Sequence, residues 1–120
     1  MCKNRNWCFT INNYTSEDEE QVAVLSEKAR YLIVGREGKF ATPHLQGYVV
    51  FKNARTIRAV SKDLPRAHLL IAKGSSLDNR NYCSKEGDFH EVGDRPLAPS
   101  EKGQMEKDRF EKAWELAKEG

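Results

Sequence analysis

Ten residues near the middle of the chain, Thr42-Pro43-His44-Leu45-Gln46-Gly47-Tyr48-Val49-Val50-Phe51, constrain its fold more than any other stretch. Read at the two-residue period of a β-strand, they put His44 and Gln46 on one side and Leu45 and Val49 on the other. An imidazole nitrogen beside an amide oxygen suits a hard divalent cation that keeps open coordination positions, and such a set lacks only an acidic third ligand. On its own, a strand histidine is more often a surface or hydrogen-bonded residue than a metal ligand, so the rest of the chain must supply the case.

Two upstream segments share the strand pattern. Trp7, Phe9 and Ile11 alternate with Cys8, Thr10 and Asn12, which predicts a strand over residues 5–12 with its aromatic side toward a core. Residues 31–37, rich in Ile and Val, predict a second strand, and Gly38-Lys39-Phe40-Ala41 turns it into the His44 strand. The resulting antiparallel hairpin brings Glu37 near His44 at its turn end, as a third ligand requires; the competing reading is a solvated hairpin-end carboxylate. Between the first two strands, Asn12-Asn13-Tyr14-Thr15-Ser16 is turn chemistry, and Ser16 followed by Glu19 predicts a capping box opening a helix of about three turns. Val22, Leu25 and Ala29 form its buried stripe, and Glu17, Asp18, Glu19 and Glu20 sit where the helix dipole favours them.

Downstream, residues 52–55 lead to Thr56, a predicted N-cap for a short helix carrying Ile57, Val60 and Leu64 and closed by Pro65. Residues 66–73 predict another strand, and Gly74-Ser75-Ser76 opens a helix over 77–85. On that helix Tyr82 and Lys85 stand three residues apart and share a face. The plainer reading is a half-buried tyrosine with a snorkelling lysine. Residues 88–92 predict a last short strand and residues 93–99 a linker. Residues 100–120 predict an amphipathic helix with Phe110, Ala113, Trp114 and Ala117 on one side, either packed on the domain or awaiting a partner domain or subunit. The fold class expected is α+β, a mainly antiparallel sheet of about five strands flanked by helices.

Composition narrows the class. At 120 residues the chain fits one domain that can bury a core without disulfides, and its 38% hydrophobic and 32% charged residues fit a soluble domain with much polar surface. Nothing resembles a membrane span, and the N-terminus lacks the apolar stretch of a signal peptide, which disfavours secretion. Cys2, Cys8 and Cys83 are odd in number and form no CxxC pair, so they read as reduced thiols in an intracellular setting; with His68 and His90 they match no structural zinc spacing. Charge is uneven: residues 1–51 balance at 6 basic and 6 acidic, 52–85 carry 8 and 2, and 86–120 carry 6 and 10. Lys52, Arg55, Arg58, Lys62, Arg66, Lys73 and Arg80 supply most of the basic excess, which suggests a polyanion-binding face, although ordinary solvated charge gives the same count.

Three motifs in order now resemble a known family. Trp7-Cys8-Phe9-Thr10-Ile11-Asn12-Asn13, Thr42-Pro43-His44-Leu45-Gln46-Gly47 and Tyr82-Cys83-Ser84-Lys85 look like the three motifs of the N-terminal HUH endonuclease domain of replication initiator (Rep) proteins from circular single-stranded DNA viruses, of the circovirus and cyclovirus kind. The likeness runs from about Trp7 to Gly93. Where the wider family has two histidines around a hydrophobic residue, Gln46 replaces the second, as in the circovirus-like branch.

The resemblance implies a ferredoxin-like or RNA-recognition-motif-like fold, a Mn²⁺ or Mg²⁺ ion held by Glu37, His44 and Gln46, and Tyr82 as nucleophile. A tyrosine phenol is ordinarily protonated at neutral pH, so it needs a nearby positive charge or base, for which Lys85 is the candidate. The implied substrate is single-stranded DNA at a viral origin, presented in a hairpin loop. The implied products are a 5′-phosphotyrosyl link and a free 3′-hydroxyl, rejoined by the reverse transfer in rolling-circle replication within the host nucleus. Arg5, Asn12, Asn13, Lys52, Arg55, Arg58, Lys73 and Arg80 are candidate DNA contacts. Full-length relatives carry a helicase/ATPase domain; this chain has no GxxxxGK[ST] loop, so it reads as a fragment with an endonuclease domain over 1–95, a linker and helix over 96–120 that could serve oligomerisation, and no nucleotide cofactor or membrane partner. Two rival readings are a non-catalytic single-strand binder, indifferent to metal and to Tyr82, and an interaction module built on the C-terminal helix.

Overall fold

Five strands and three helices occupy residues 2–97, the part of the chain that the computed structural model describes. They run β1 (Asn4–Asn12), α1 (Ser16–Lys28), β2 (Tyr31–Glu37), β3 (His44–Arg55), α2 (Ile57–Asp63), β4 (His68–Ile71), α3 (Ser76–Cys83) and β5 (Phe89–Gly93). The sheet has the order β4-β1-β3-β2-β5, and every adjacent pair is antiparallel. Its first six elements follow the β-α-β-β-α-β plan of ferredoxin-like folds, with β5 added beyond β2. The expected α+β class and strand number are therefore observed. The helix expected over 100–120 lies outside the described residues, and no described helix is long and apolar enough to cross a membrane.

Strand alternation divides the side chains between two unequal faces. Trp7, Phe9 and Ile11 of β1, Leu45, Val49 and Phe51 of β3 and Leu32 of β2 point to one face, where Val22 and Leu25 of α1 and Val60 and Leu64 of α2 cover them. On the other face, Tyr31, Ile33, Tyr48 and Val50 pack with Cys83 of α3. A single helix of eight residues covers only part of that face, which leaves the ends of the sheet beside it open. The candidate site residues lie there.

Local boundaries differ from the sequence expectations for identifiable reasons. The N-cap of α1 is Thr15 rather than Ser16: Thr15 is extended, its hydroxyl accepts from the Asp18 amide, and the Asp18 carboxylate accepts from the Thr15 amide. Asp18 is buried and paired with Arg66, whose guanidinium also donates to the Asn12 carbonyl, so the capping box faces inward while Glu19 pairs outward with Arg36. Strand β3 continues to Arg55 because the start of β1 pairs with it, through a register shift between Asn4 and Asn6. Helix α3 ends at Cys83 with Ser84 as C-cap, so Lys85 lies in the following turn rather than on the helix with Tyr82. Strand β4 is limited to His68–Ile71, the part paired with or adjoining β1.

One glycine sets how close α3 comes to the sheet. A Cβ on Gly35 would lie 2.1 Å from the Cys83 carbonyl oxygen, so only glycine lets the C-terminal end of α3 settle on β2, two residues from Glu37.

Candidate active site

Glu37 and His44 are register partners across β2 and β3, so their side chains leave the same face of the sheet side by side. His44 Nδ1 lies 3.0 Å from the Thr42 carbonyl oxygen, which can only accept; the ring proton of a neutral His44 therefore sits on Nδ1. His44 Nε2 then presents its lone pair to Glu37 Oε1 at 3.3 Å. Two acceptors facing each other need a proton or a cation between them. The hairpin that holds them depends on Gly38, which adopts φ 79° and has no room for a Cβ beside the Thr42 carbonyl.

Gln46 follows two residues along β3 on the same face, opposite Gly35 on β2 and Thr10 on β1. Thr10 Oγ1 donates to Gln46 Oε1 at 3.0 Å, which aims the amide and leaves its oxygen a second lone pair. Among the described residues no cluster of three His, Cys, Asp or Glu side chains is placed to hold a metal. A cation here would rest on one carboxylate, one imidazole and one amide oxygen. That donor set fits a hard, incompletely ligated ion such as Mn²⁺ or Mg²⁺ and does not fit a structural zinc site. Glu37 is buried, and a buried carboxylate needs a compensating charge. Lys85 supplies it, with Nζ 2.6 Å from Glu37 Oε1 and 2.7 Å from Oε2.

The same lysine touches the candidate nucleophile. Lys85 Nζ sits 3.7 Å from the centroid of the Tyr82 ring and donates to the Tyr82 carbonyl at 3.3 Å. The turn after α3 thus achieves the pairing of phenol and ammonium that a continuous helix was expected to give. Tyr82 is 55% exposed, and its ring lines an open groove of about 470 Å³ together with Gln46, Thr10, His68 and Lys73. Tyr82 and Gln46 therefore open onto one space. Burial pushes the neighbouring Cys83 thiol up to about 12, with Cys8 and Glu37 adding to the rise and Lys85 opposing it. Cys83 is a protonated packing residue at neutral pH, whereas the Tyr82 phenol is exposed and remains the candidate nucleophile.

The candidate DNA contacts fall into two groups. Arg55 is paired with Asp63 and lies over the Phe51 ring, and Arg80 is paired with Glu91 near the Phe89 ring. Burial alone would raise the Glu91 pKa, but the bonds from Tyr31 and Arg80 bring it below the ordinary carboxylate value. Arg58 is exposed on α2, the helix that packs on the face away from Tyr82. Asn12 and Asn13 are exposed at the end of β1, where Asn12 is the partner of His44. Lys73 lines the Tyr82 groove, while Arg5 and Lys52 line a second cleft further along the same face. Sequence reasoning missed Thr10, the Thr42 carbonyl and Gly35. Thr10 was readable in principle as the strand partner of Gln46, but the register needed to place it came only with the fold.

Residues 4–86 match the family model described as "Putative viral replication protein". Over 86 residues, 70% of this chain and 30% of the relative, the sequence is 56% identical to the replication-associated protein of Beak and feather disease virus. It is 40% identical over 113 residues to that of Goose circovirus, covering 86% of this chain and 37% of the relative. With Para-Rep C1 of Faba bean necrotic yellows C11 alphasatellite the identity is 38% over 104 residues, 82% of this chain and 36% of the relative. The chain spans about a third of the length of these relatives.

Proposed function

The chain belongs to the viral replication protein family, and we propose that it is the origin-nicking part of a replication initiator: a metal-dependent endonuclease and strand transferase acting on single-stranded viral DNA. The observation that carries this reading is the facing pair of acceptors on Glu37 and His44, set in the same face as Gln46 and beside an exposed tyrosine.

Glu37, His44 and Gln46 would hold the cation, which when bound draws charge from a non-bridging phosphate oxygen and so eases attack at phosphorus. The protein's own side chains do the rest. Tyr82 Oη attacks the scissile phosphorus; the P–Oη bond forms as the P–O3′ bond breaks, the phenolic proton leaves to solvent, and the departing 3′-oxygen takes up a proton to become a hydroxyl. Lys85, already against the Tyr82 ring, places positive charge beside the developing negative charge of phenol and phosphate. The phosphotyrosyl bond keeps the energy of the original phosphodiester, so a 3′-hydroxyl can attack it and rejoin strands. Thr10 and the Thr42 carbonyl orient Gln46 and His44.

The test is incubation with a labelled single-stranded oligonucleotide carrying the origin loop of the parent genome, with Mn²⁺, with Mg²⁺ and with chelator. The native protein forms a denaturation-resistant DNA adduct only with metal, and Tyr82→Phe forms none. Metal-independent DNA binding without any adduct would instead make the chain a plain single-strand binder.

A further inference from the structure

Most of the arginines in this fold are already committed. Arg36 pairs with Glu19 and Asp88, Arg55 with Asp63, Arg66 with Asp18 and Arg80 with Glu91. Arg5, Arg30 and Lys52 differ: all three are exposed, and none makes an ion pair or side-chain hydrogen bond among the described residues. They come from the start of β1, the α1–β2 turn and the middle of β3, yet they line one cleft of about 380 Å³. No described carboxylate lines that cleft. Arg95, bonded to Ser76 Oγ at 3.0 Å, brings a fourth cation to its edge. Three exposed cations with no described carboxylate among them favour an anion in this cleft.

Its position identifies the anion. The cleft sits on the same sheet face as the candidate active site but at the other end, beside Val50 rather than His44. Six residues of β3 separate those two positions, a distance of about 20 Å at the rise of a strand. Helix α3 runs between them: Ser75 and Ser76 at its start line the cleft, and Tyr82 near its end lines the groove. The two spaces meet at one peptide, since Lys73 lines the groove and Gly74 lines the cleft.

We propose that the Arg5–Arg30–Lys52 cleft is a second phosphate site, which holds the backbone of the same single DNA strand after it passes Lys73 on its way from Tyr82. The proposal rests on the nicking reading above for the identity of the strand. Ser76 in the cleft and Tyr82 in the groove are six residues apart on α3, about 9 Å at the rise of a helix, so the near side of the cleft is about three nucleotides from Tyr82 at a stacked spacing of ~3.4 Å, and its far side by Val50 is further. An oligonucleotide that ends at the nick cannot reach the cleft, whereas one ten nucleotides longer on the correct side can.

The experiment measures binding of the full chain to short and extended single-stranded oligonucleotides in chelator, with extension on the 5′ or the 3′ side and each also tested as duplex. The quantity read is the ratio of long to short affinity, which cancels any general loss of folding or charge. For the native protein that ratio is on the order of tenfold on one side only and falls with salt. Arg30→Glu and Lys52→Glu each bring it close to one, while Lys62→Glu, an equal charge change on α2, leaves it intact. No gain on extension in either direction, an equal loss with Lys62→Glu, or a gain confined to duplex extensions would overturn the proposal. Because the assay uses neither metal nor cleavage, it reads out even if Tyr82 forms no adduct, so the two readings fail separately.

Discussion

Lys85 holds both carboxylate oxygens of Glu37, at 2.6 and 2.7 Å, and so occupies the charge that a divalent cation would need. The ammonium and the proposed metal would compete for one buried carboxylate. Lys85→Met removes one competitor and leaves Glu37 with His44 as its remaining side-chain partner. The metal-free variant is expected to be less stable by about 2 kcal/mol, less than for a fully buried pair because Lys85 is partly exposed. The Mn²⁺-induced rise in Tm should be larger in the variant than in the native protein, since a tenfold gain in affinity adds about 1.4 kcal/mol at saturating metal. Thermal melts with and without Mn²⁺ check both. A smaller metal shift in the variant would mean that Lys85 assists the ion rather than opposing it.

Thr10 aims the Gln46 amide through a 3.0 Å hydrogen bond. Thr10→Val keeps the shape of the side chain and removes the donor. Mn²⁺ affinity, measured by calorimetry, should weaken by about tenfold, the usual effect of losing a partner behind a metal ligand, with little change in Tm.

Gly35→Ala should shift the end of α3, because the new methyl meets the Cys83 carbonyl. A loss of about 1–3 kcal/mol is expected from overpacking. The nicking rate should fall further than that loss explains, since Tyr82 and Lys85 both ride on the displaced segment. Chemical denaturation and single-turnover nicking below the unfolding transition separate the two effects.

Stability should fall on the alkaline side. Burial holds the Cys83 thiol and the Tyr48 phenol up to about 12 and raises Cys8 as well. A thiol in the unfolded chain ionises near ~8.5 and a phenol near ~10. The stability that these groups contribute is therefore complete below about pH 8.5 and is lost as pH climbs through 12. Between about pH 8.5 and 10 the loss belongs to the thiols, so Cys83→Ala should flatten the Tm-against-pH curve in that window and leave the steeper fall above it.

Much of this was legible in the chain. The period-two runs around Phe9 and Val49 fixed the strands and their inward sides, and the hairpin brought Glu37 to His44 as its length required. The helix ends were less legible, because caps depend on which carboxylate faces inward: Asp18 rather than Glu19 closes the first helix, since Arg66, distant in sequence, draws it into the interior. Lys85 was legible as a partner of Tyr82 but not of Glu37, a contact that depends on Gly35 letting α3 close on the sheet. The basic count of residues 52–85 does not show which of its cations are paired. Arg55, Arg66 and Arg80 are tied to acids, and Arg30, the new member of the cationic cleft, lies outside that segment.

The central claim is that Tyr82 makes the covalent bond and that Glu37, His44 and Gln46 hold the ion it needs. Its most direct measurement is mass spectrometry of the protease-digested adduct formed with a single-stranded origin oligonucleotide and Mn²⁺. The account predicts a 5′-phosphorylated nucleotide on the peptide carrying Tyr82, present in the native protein and lost in His44→Ala. A nucleotide mapped to any other residue, or an adduct on Tyr82 that forms equally well in chelator and in His44→Ala, would contradict it.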